Sequence, residues 1–216
     1  MAVFKKLYFF IFVFLLIGIQ SAVAHESFIQ VIPKAKPSVV IIEVTRFKDK
    51  KRAKKAIEAL GDNADFFKDE LQLGSYKGRG SGFVVESTSH QGIAILTAAH
   101  VVKGASKIKV VFENGDRKKA KIIWLNTKKD VALILVEKAT AQVPPLAFSE
   151  SEVVEGQPVL SLSSSFNLSI SGSQGIVSAV DVVLPGKRKL KLIQTDATIN
   201  PGSSGGPLLN LSLIHI

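Results

Sequence analysis

Short runs of β-branched and apolar residues, separated by turn residues, are the feature that most limits how this 216-residue chain can fold. Such runs are typical of β-strands, and their number favours a sandwich or barrels. The Pro144-Pro145 pair divides them into two series, which indicates two halves. The runs cover residues 38–47, 82–86, 92–97, 108–112, 120–124 and 131–136 before the pair, and residues 158–162, 171–180, 190–195 and 206–209 after it. The sequence therefore predicts an all-β fold.

One stretch between these runs has helical periodicity instead. Apolar residues recur at helical spacing within residues 51–60, and Gly61 follows as a stop signal. We expect a short amphipathic helix there, in a long connection between strands. Its basic start, residues 48–55, holds six Lys or Arg side chains. A solvated helix face explains this run better than a nucleic-acid or envelope-binding patch, although the second interpretation stays open.

The N-terminus has the three parts of a secretory signal peptide. Lys5 and Lys6 form a basic start, residues 7–19 form an apolar run, and Ala22-Val23-Ala24 supplies a small-residue cleavage pattern. The run is short for a transmembrane helix, which needs about 20 residues, and an uncleaved anchor is the alternative. We expect residues 1–24 to be removed after Ala24 and the protein to be periplasmic.

Composition excludes several kinds of site and partner. The chain has no cysteine, which excludes disulfides, a thiol nucleophile and any cysteine-based zinc or iron–sulfur site. Its net charge is +10, and loss of Lys5 and Lys6 with the signal peptide lowers it to +8. A charge of this size makes nucleic acid or an anionic membrane worth considering as a partner. The residue motifs described next point elsewhere, and we expect no nucleic acid partner.

The C-terminal residues 211–216, with the sequence LSLIHI, form an unusual ending. They follow an apolar, strand-like stretch directly, with no polar tail. One choice of codons for these six residues spells a transposon end that is used as a sequencing adapter. We therefore interpret the segment as read-through into an adapter, against the alternative of an ordinary short tail.

Two titratable residues lie at the ends of apolar strands. His100 follows the run that ends at Thr97, and apolar residues lie on both sides of it. A histidine is the usual general base at neutral pH, but a single one is more often structural. Asp130 comes directly before the apolar run 131–136. It is either a solvated strand-end residue beside two lysines or the buried carboxylate that orients an imidazole.

The most informative segment is residues 200–208, with the sequence NPGSSGGPL. Three glycines around two serines imply tight turns and a close approach of the backbone. Such a loop can direct two amide N–H groups into one small space, as acyl transfer requires when its carbonyl oxygen becomes negative. A plain Gly/Ser turn between strands is the alternative for this segment alone.

Taken together, these motifs resemble the HtrA (DegP-like) branch of the trypsin-like serine proteases. The order His, Asp, Ser is that of the chymotrypsin fold. The resemblance rests on TAAHVV, KDVALILV and QTDATINPGSSGGPL, and GSGFVV, GIVSA and the Phe-Phe pair within residues 65–69 extend it. It implies a chymotrypsin-like double β-barrel whose second barrel is incomplete in this chain. Residues 25–143 would hold the N-terminal region and the first barrel, and residues 144–210 part of the second.

The resemblance also implies the roles of individual residues. Ser204 would be the nucleophile, His100 the general base and Asp130 its orienting carboxylate, with the N–H groups of Gly202 and Ser204 as the oxyanion hole. Ser203 is the neighbouring alternative nucleophile, but the family pattern places the nucleophile directly before Gly-Gly. Ile199 would line the primary specificity pocket and favour small aliphatic residues. No metal or cofactor is implied.

Two departures from the family pattern stand beside these matches. Ser203 occupies a position where the family usually has Asn and digestive proteases have Asp. Residues 163–166, with the sequence SSSF, replace a more usual Gly-Asn-Pro-Phe-like stretch. The sequence alone does not show what effect the SSSF stretch has.

The resemblance implies an exported endopeptidase that degrades unfolded or misfolded envelope proteins, and a homo-trimer. The alternatives are a non-catalytic exported chaperone or binding protein on the same fold, and an inactive gene fragment. Few residues follow Ser204, so the strands that close the second barrel are missing from the sequence. We therefore expect the chain as printed to be inactive or poorly folded.

Overall fold

The computed structural model describes residues 28–47, 75–87, 91–137, 143–183, 191–212 and 214–216. Several predictions lie outside this part of the chain: the signal peptide, the basic run 48–55, the helix over 51–60 and the Phe-Phe pair. Among the described residues, no helix is long and apolar enough to cross a membrane.

The described chain consists mainly of strands, with two short α-helices. The helices are α1 (Phe28–Ala35) and α2 (Ala99–Val102), and a 3-10 turn (Lys36–Ser38) leads from α1 into the first strand. Six strands form the first half: β1 (Val39–Phe47), β2 (Ser75–Val85), β3 (Ile93–Ala98), β4 (Lys107–Val111), β5 (Arg117–Asn126) and β6 (Val131–Val136). Six form the second: β7 (Ala147–Phe148), β8 (Pro158–Ser163), β9 (Ser171–Val182), β10 (Leu192–Thr195), β11 (Leu208–Leu209) and β12 (Ile214–His215).

The first six strands close into an antiparallel barrel in the order β1-β2-β3-β6-β5-β4. Alternate residues along each strand face inward, as the period of two requires. Ile42, Ile95, Val110 and Ile134 are fully buried inside the barrel. The predicted first half is therefore confirmed as a closed barrel.

The second half is an open six-stranded sheet, in the order β10-β9-β8-β11-β12-β7. It packs against the outside of the first barrel through a second apolar cluster that includes Ile41, Phe83, Leu160 and Leu162. The sheet does not close on itself within the described residues. The all-β, chymotrypsin-like class with an incomplete second barrel is confirmed.

Several strand boundaries differ from the predicted runs because pairing partners extend a strand beyond its apolar residues. β2 begins at Ser75, seven residues before the predicted run, since it pairs with β1 as far as Phe47 opposite Ser75. β5 begins at Arg117 because its basic start pairs with β4. The two-residue strands β7 and β12 and the helix α1 were not predicted, because segments this short carry no periodic signal.

The C-terminal residues take part in the second sheet. β12 lies between β11 and β7, and the His215 ring packs 4.7 Å from the Phe83 ring, centroid to centroid. Burial lowers the pKa of His215 below its usual value, and the hydrogen bond with the Leu208 carbonyl offsets part of this shift. The interpretation of residues 211–216 as read-through stays a prediction.

Candidate active site

His100 and Asp130 come together because β3 and β6 are antiparallel neighbours. Ala98, the last residue of β3, lies opposite Val131, the first residue of β6, so the residues just beyond these ends meet at one rim of the barrel. His100 Nδ1 lies 2.7 Å from Asp130 Oδ2, and the His100 N–H donates to Oδ1 at 2.8 Å. The Ala99 N–H donates to the Asp130 carbonyl at 3.0 Å. The carboxylate thus holds both the ring and the backbone of His100.

Asp130 itself is held in an unusual backbone conformation. Its φ is +57°, in the left-handed region that few residues other than glycine adopt and that Asp tolerates better than most. The preceding turn is fixed by Asn126, whose Oδ1 accepts from the N–H groups of Lys128 and Lys129 at 3.1 and 3.0 Å. The Asp130 side chain is 49% exposed. Of the two interpretations left open by the sequence, the burial implied by the second does not hold, because the turn lies at the rim of the barrel, although this carboxylate does orient the imidazole.

A second set of hydrogen bonds, from Arg46, holds the helix that carries His100. α2 has only four residues, and its last carbonyl groups have no partner within the helix. The Arg46 guanidinium donates to the carbonyls of His100 (2.9 Å), Val101 and Lys103 (3.2 Å). A Cβ atom built on Gly78 would lie 2.7 Å from Arg46 Nη1, so glycine leaves room for the guanidinium. Arg46 on β1 therefore fixes α2 against the barrel.

We predict that Arg46→Met lowers the free energy of unfolding by about 1.5–3 kcal/mol, the range for hydrogen bonds that involve a charged group. Arg46→Lys should recover only part of the loss, because one ammonium group cannot span three carbonyls. Urea unfolding followed by circular dichroism measures both. Arg117→Met is the matched control, since Arg117 pairs with Glu43 on the exposed barrel surface and should cost less than about 1 kcal/mol. Equal losses in the two methionine variants would contradict this role for Arg46.

The loop that carries Ser203 and Ser204 begins with a tight turn. The Ser203 N–H donates to the Asn200 carbonyl at 2.9 Å, with Pro201 and Gly202 at the two central positions. Gly202 has a φ of +100°, which fits the third position of a type II turn, where glycine is favoured. Within the described part of the chain, the N–H groups of Gly202 and Ser204 donate no hydrogen bond. They are therefore available to a negatively charged oxygen.

The loop packs directly on the strand that leads to His100. The Ser81 N–H donates to the Ser204 carbonyl at 2.8 Å. A Cβ atom built on Gly205, whose φ is +88°, would lie 2.3 Å from Thr97 Oγ1 and 2.7 Å from the Ala98 N. Only glycine permits this approach. Among the described residues no hydrogen bond joins the Ser204 hydroxyl to the His100 ring, and the loop instead packs on the end of β3, two residues before His100.

The two candidate nucleophiles have different surroundings. Ser203 is 6% exposed, and its hydroxyl contacts the hydroxyls of Ser163 (2.8 Å) and Ser165 (2.9 Å) and the Asn200 N–H (3.3 Å). Ser204 is partly exposed, next to the two available N–H groups. The geometry favours Ser204 as the residue that a substrate can reach.

Comparison with known proteins decides the family. A protein-family model described as "Trypsin-like peptidase domain" matches residues 80–213, more than half of the chain. The chain belongs to the trypsin-like peptidase family. A "Probable periplasmic serine endoprotease DegP-like" of Halomonas elongata is 41% identical over 133 residues, which are 61% of this chain and 27% of that protein. Its counterpart in Marinomonas is 34% identical over 206 residues, 88% of this chain and 43% of that protein.

A solved structure, "HtrA-type protease AlgW with tripeptide", has a TM-score of 0.67 at 23% identity and supports the fold. The matched region covers 88% of this chain and 52% of the chain in that solved structure. The curated relatives named above carry DegP-like names, and the solved structure is an HtrA-type protease. The chain spans less than half the length of the two curated relatives named here.

The surroundings of this candidate site include a pocket of about 210 Å³ in the second sheet. Thr198 and Asn200 are among its lining residues, together with serines of β8 and β9, but Ile199 is not. The Ile199 side chain is 64% exposed. Its predicted place in the primary specificity pocket stays a prediction. Among the described residues, no three His, Asp or Glu side chains lie close enough together to hold a metal ion.

Sequence reasoning missed four residues that contribute to this candidate site: Arg46, Ser81, Ser163 and Ser165. The two serines belong to the sequence SSSF, which departs from the family pattern and was therefore noticed. Nothing in the local sequence linked this stretch to Ser203, about 40 residues later. Arg46 and Ser81 lie in strands whose sequence pattern reports only inward and outward faces. Their hydrogen bonds depend on tertiary pairing.

Proposed function

We propose that this protein is an exported serine endopeptidase that hydrolyses peptide bonds of unfolded or misfolded envelope proteins, with His100, Asp130 and Ser204 as its catalytic residues. One observation carries the proposal: the paired His100 and Asp130 lie at the rim of a closed barrel against which the Ser204 loop packs with two available N–H groups. Membership of the trypsin-like peptidase family supports the reaction class.

In the proposed reaction, the Ser204 Oγ attacks the carbonyl carbon of the scissile peptide. His100 Nε2 takes the hydroxyl proton, because Nδ1 is committed to Asp130. The N–H groups of Gly202 and Ser204 stabilise the oxygen that becomes negative. His100 then gives the proton to the leaving amine, which departs and leaves an acyl group on Ser204. A water molecule, deprotonated by His100, then attacks the acyl carbon, and His100 returns the proton to Ser204 Oγ as the acid product leaves.

The proposed substrates are unfolded or misfolded proteins, cleaved with broad preference. A small aliphatic pocket with Ile199 as one wall distinguishes residues that differ by a methylene only about 10- to 200-fold. Broad preference suits protein quality control, since unfolded proteins expose many different segments. Export to the periplasm rests on the predicted signal peptide and on relatives named as periplasmic. The homo-trimer rests on the family resemblance.

An activity-based probe tests the nucleophile directly. The prediction that these 216 residues alone are inactive is still open, so the assays use the protein produced from its own gene in its native host. A fluorophosphonate should form a covalent adduct on Ser204, located by mass spectrometry of the digested protein. An adduct on Ser203 would show that Ser203 is the nucleophile and that the assignment to Ser204 is wrong. Binding of unfolded proteins without any fluorophosphonate adduct would favour a non-catalytic chaperone or binding protein.

A further inference from the structure

The serines at 163 and 165 and Ser203 form a cluster that the proposed mechanism does not use. Ser163 lies at the end of β8, and Ser165 lies in the turn that follows. The hydroxyls of both contact that of Ser203, at 2.8 and 2.9 Å. Ser163 is 4% and Ser203 6% exposed. We call these three residues the hydroxyl cluster.

The hydrogen-bonding capacity of Ser203 fixes the direction of these bonds. A hydroxyl oxygen donates one hydrogen bond and accepts two. Ser203 Oγ accepts from the Ser163 hydroxyl and from the Asn200 N–H at 3.3 Å, which uses both acceptor positions. Its own proton is then left for Ser165 Oγ. The hydroxyl cluster thus satisfies all three hydrogen-bonding positions of the buried Ser203 hydroxyl.

The opposite side of the loop is fixed by Ser81, which is fully buried on β2. Its hydroxyl donates to the Gly202 carbonyl at 2.8 Å and accepts from the Ser164 N–H at 2.9 Å. A Cβ atom built on Gly202 would lie 2.4 Å from the Ser164 carbonyl, so the two segments touch. The segment 163–165 therefore holds the loop through both Ser203 and Ser81.

We propose that Ser163 and Ser165 are positioning residues, which act through Ser203 to hold the N–H groups of Gly202 and Ser204 in the direction that an oxyanion requires. The peptide groups that carry these N–H groups are joined to Ser203 and to the Gly202 carbonyl, the points at which the loop is fixed. This inference rests on the proposed function for its catalytic consequence. Its structural part, the fixing of the loop, is independent of activity.

Amide hydrogen exchange measured by NMR tests the structural part. The N–H groups of Ser203, Gly206 and Phe166 bond within or onto the loop, to the carbonyls of Asn200, Ser203 and Pro201. In Ser163→Ala and Ser203→Ala they should exchange about tenfold faster, the effect of losing one buried hydrogen bond. Ser149→Ala is the control, because Ser149 is partly exposed and, among the described residues, bonds only to Ser151 and, through its N–H, to His215. Unchanged exchange in Ser163→Ala would overturn the proposal.

Steady-state kinetics test the catalytic part. Ser163→Ala and Ser203→Ala should lower kcat about 10- to 100-fold with KM nearly unchanged, because the loosened N–H groups stabilise only the transition state. The affinity for a peptide boronate, whose oxygen takes the oxyanion position, should fall in parallel. A merely structural loss would instead reduce the amount of folded enzyme and leave kcat per labelled Ser204 unchanged.

The double variant separates one cooperating unit from two independent contacts. Ser163→Ala/Ser203→Ala should lose no more kcat than Ser203→Ala alone, since both changes remove the same bond. Additive losses, or kcat within twofold of the Ser149→Ala control, would overturn the positioning role. The two parts can also fail separately. If amide hydrogen exchange is faster in the variants but the unchanged protein forms no adduct on Ser204, the proposed function is rejected and the fixing of the loop is still supported.

Discussion

Ser204→Ala is expected to lower kcat for peptide-bond hydrolysis about 10⁶-fold, because removing the nucleophile of such a triad costs about that much. Alanine lacks the oxygen that would form the acyl intermediate, while the Gly202 and Ser204 N–H groups stay in place. The residue is partly exposed and its hydroxyl has no hydrogen bond among the described residues, so the free energy of unfolding should barely change. Release of peptides from an unfolded reporter protein measures the rate, and urea unfolding measures the stability.

Ser203→Ala is the matched comparison for this variant. It removes the adjacent hydroxyl, which is buried and bonded to other serines, and should cost only about 10- to 100-fold in kcat. The fluorophosphonate adduct should persist in Ser203→Ala and disappear in Ser204→Ala. A Ser204→Ala variant that binds unfolded protein as well as the parent would indicate an enzyme with chaperone capacity. Undiminished hydrolysis by Ser204→Ala would reject Ser204 as the nucleophile.

Asp130→Asn is expected to lower kcat about 10⁴-fold at neutral pH, with little change in structure. The amide oxygen of Asn can still accept a hydrogen bond from the backbone N–H of His100, which in the unchanged protein donates to Asp130 Oδ1 at 2.8 Å. The amide nitrogen, however, would face His100 Nδ1 in place of Oδ2, and it can only donate there. His100 would then carry its proton on Nε2, the atom that must accept the proton of Ser204.

Steady-state kinetics and a crystal structure of Asp130→Asn check both halves of this prediction. Asp116→Asn is the control, because Asp116 lies in the exposed turn between β4 and β5 and should leave kcat unchanged. Loss of activity with a displaced His100 ring would mean that Asp130 acts through structure alone. Full activity of Asp130→Asn would remove Asp130 from the catalytic residues.

The strands of the first barrel and the order of the candidate site residues could be predicted from the sequence because they depend on local patterns. Alternation in the run 131–136 and the apolar run before His100 each specify a strand with one face buried. Glycines at 202 and 205 are required locally, since both adopt positive φ values. Position in the chain then indicated which His, Asp and Ser belong together.

Other features of the site could not be predicted, because they depend on partners far apart in the sequence. The hydroxyl of Ser81 reaches the Gly202 carbonyl across 121 positions. Whether Asp130 is buried was likewise not decided by its sequence neighbours, and it lies half exposed at the barrel rim. The extension of β2 back to Ser75 follows from pairing with β1.

The sequence by itself therefore determined the strand-rich class and the candidate site residues, since each depends on side-chain type at short spacing, while the first barrel was implied by the family resemblance. The tertiary structure alone decided that Ser203 is buried and Ser204 reachable, that Arg46 holds the helix of His100, and that the serines at 163 and 165 face the loop. The physical reason is that a hydrogen bond between distant segments forms only where packing fixes both partners within about 3 Å. No local pattern encodes that distance.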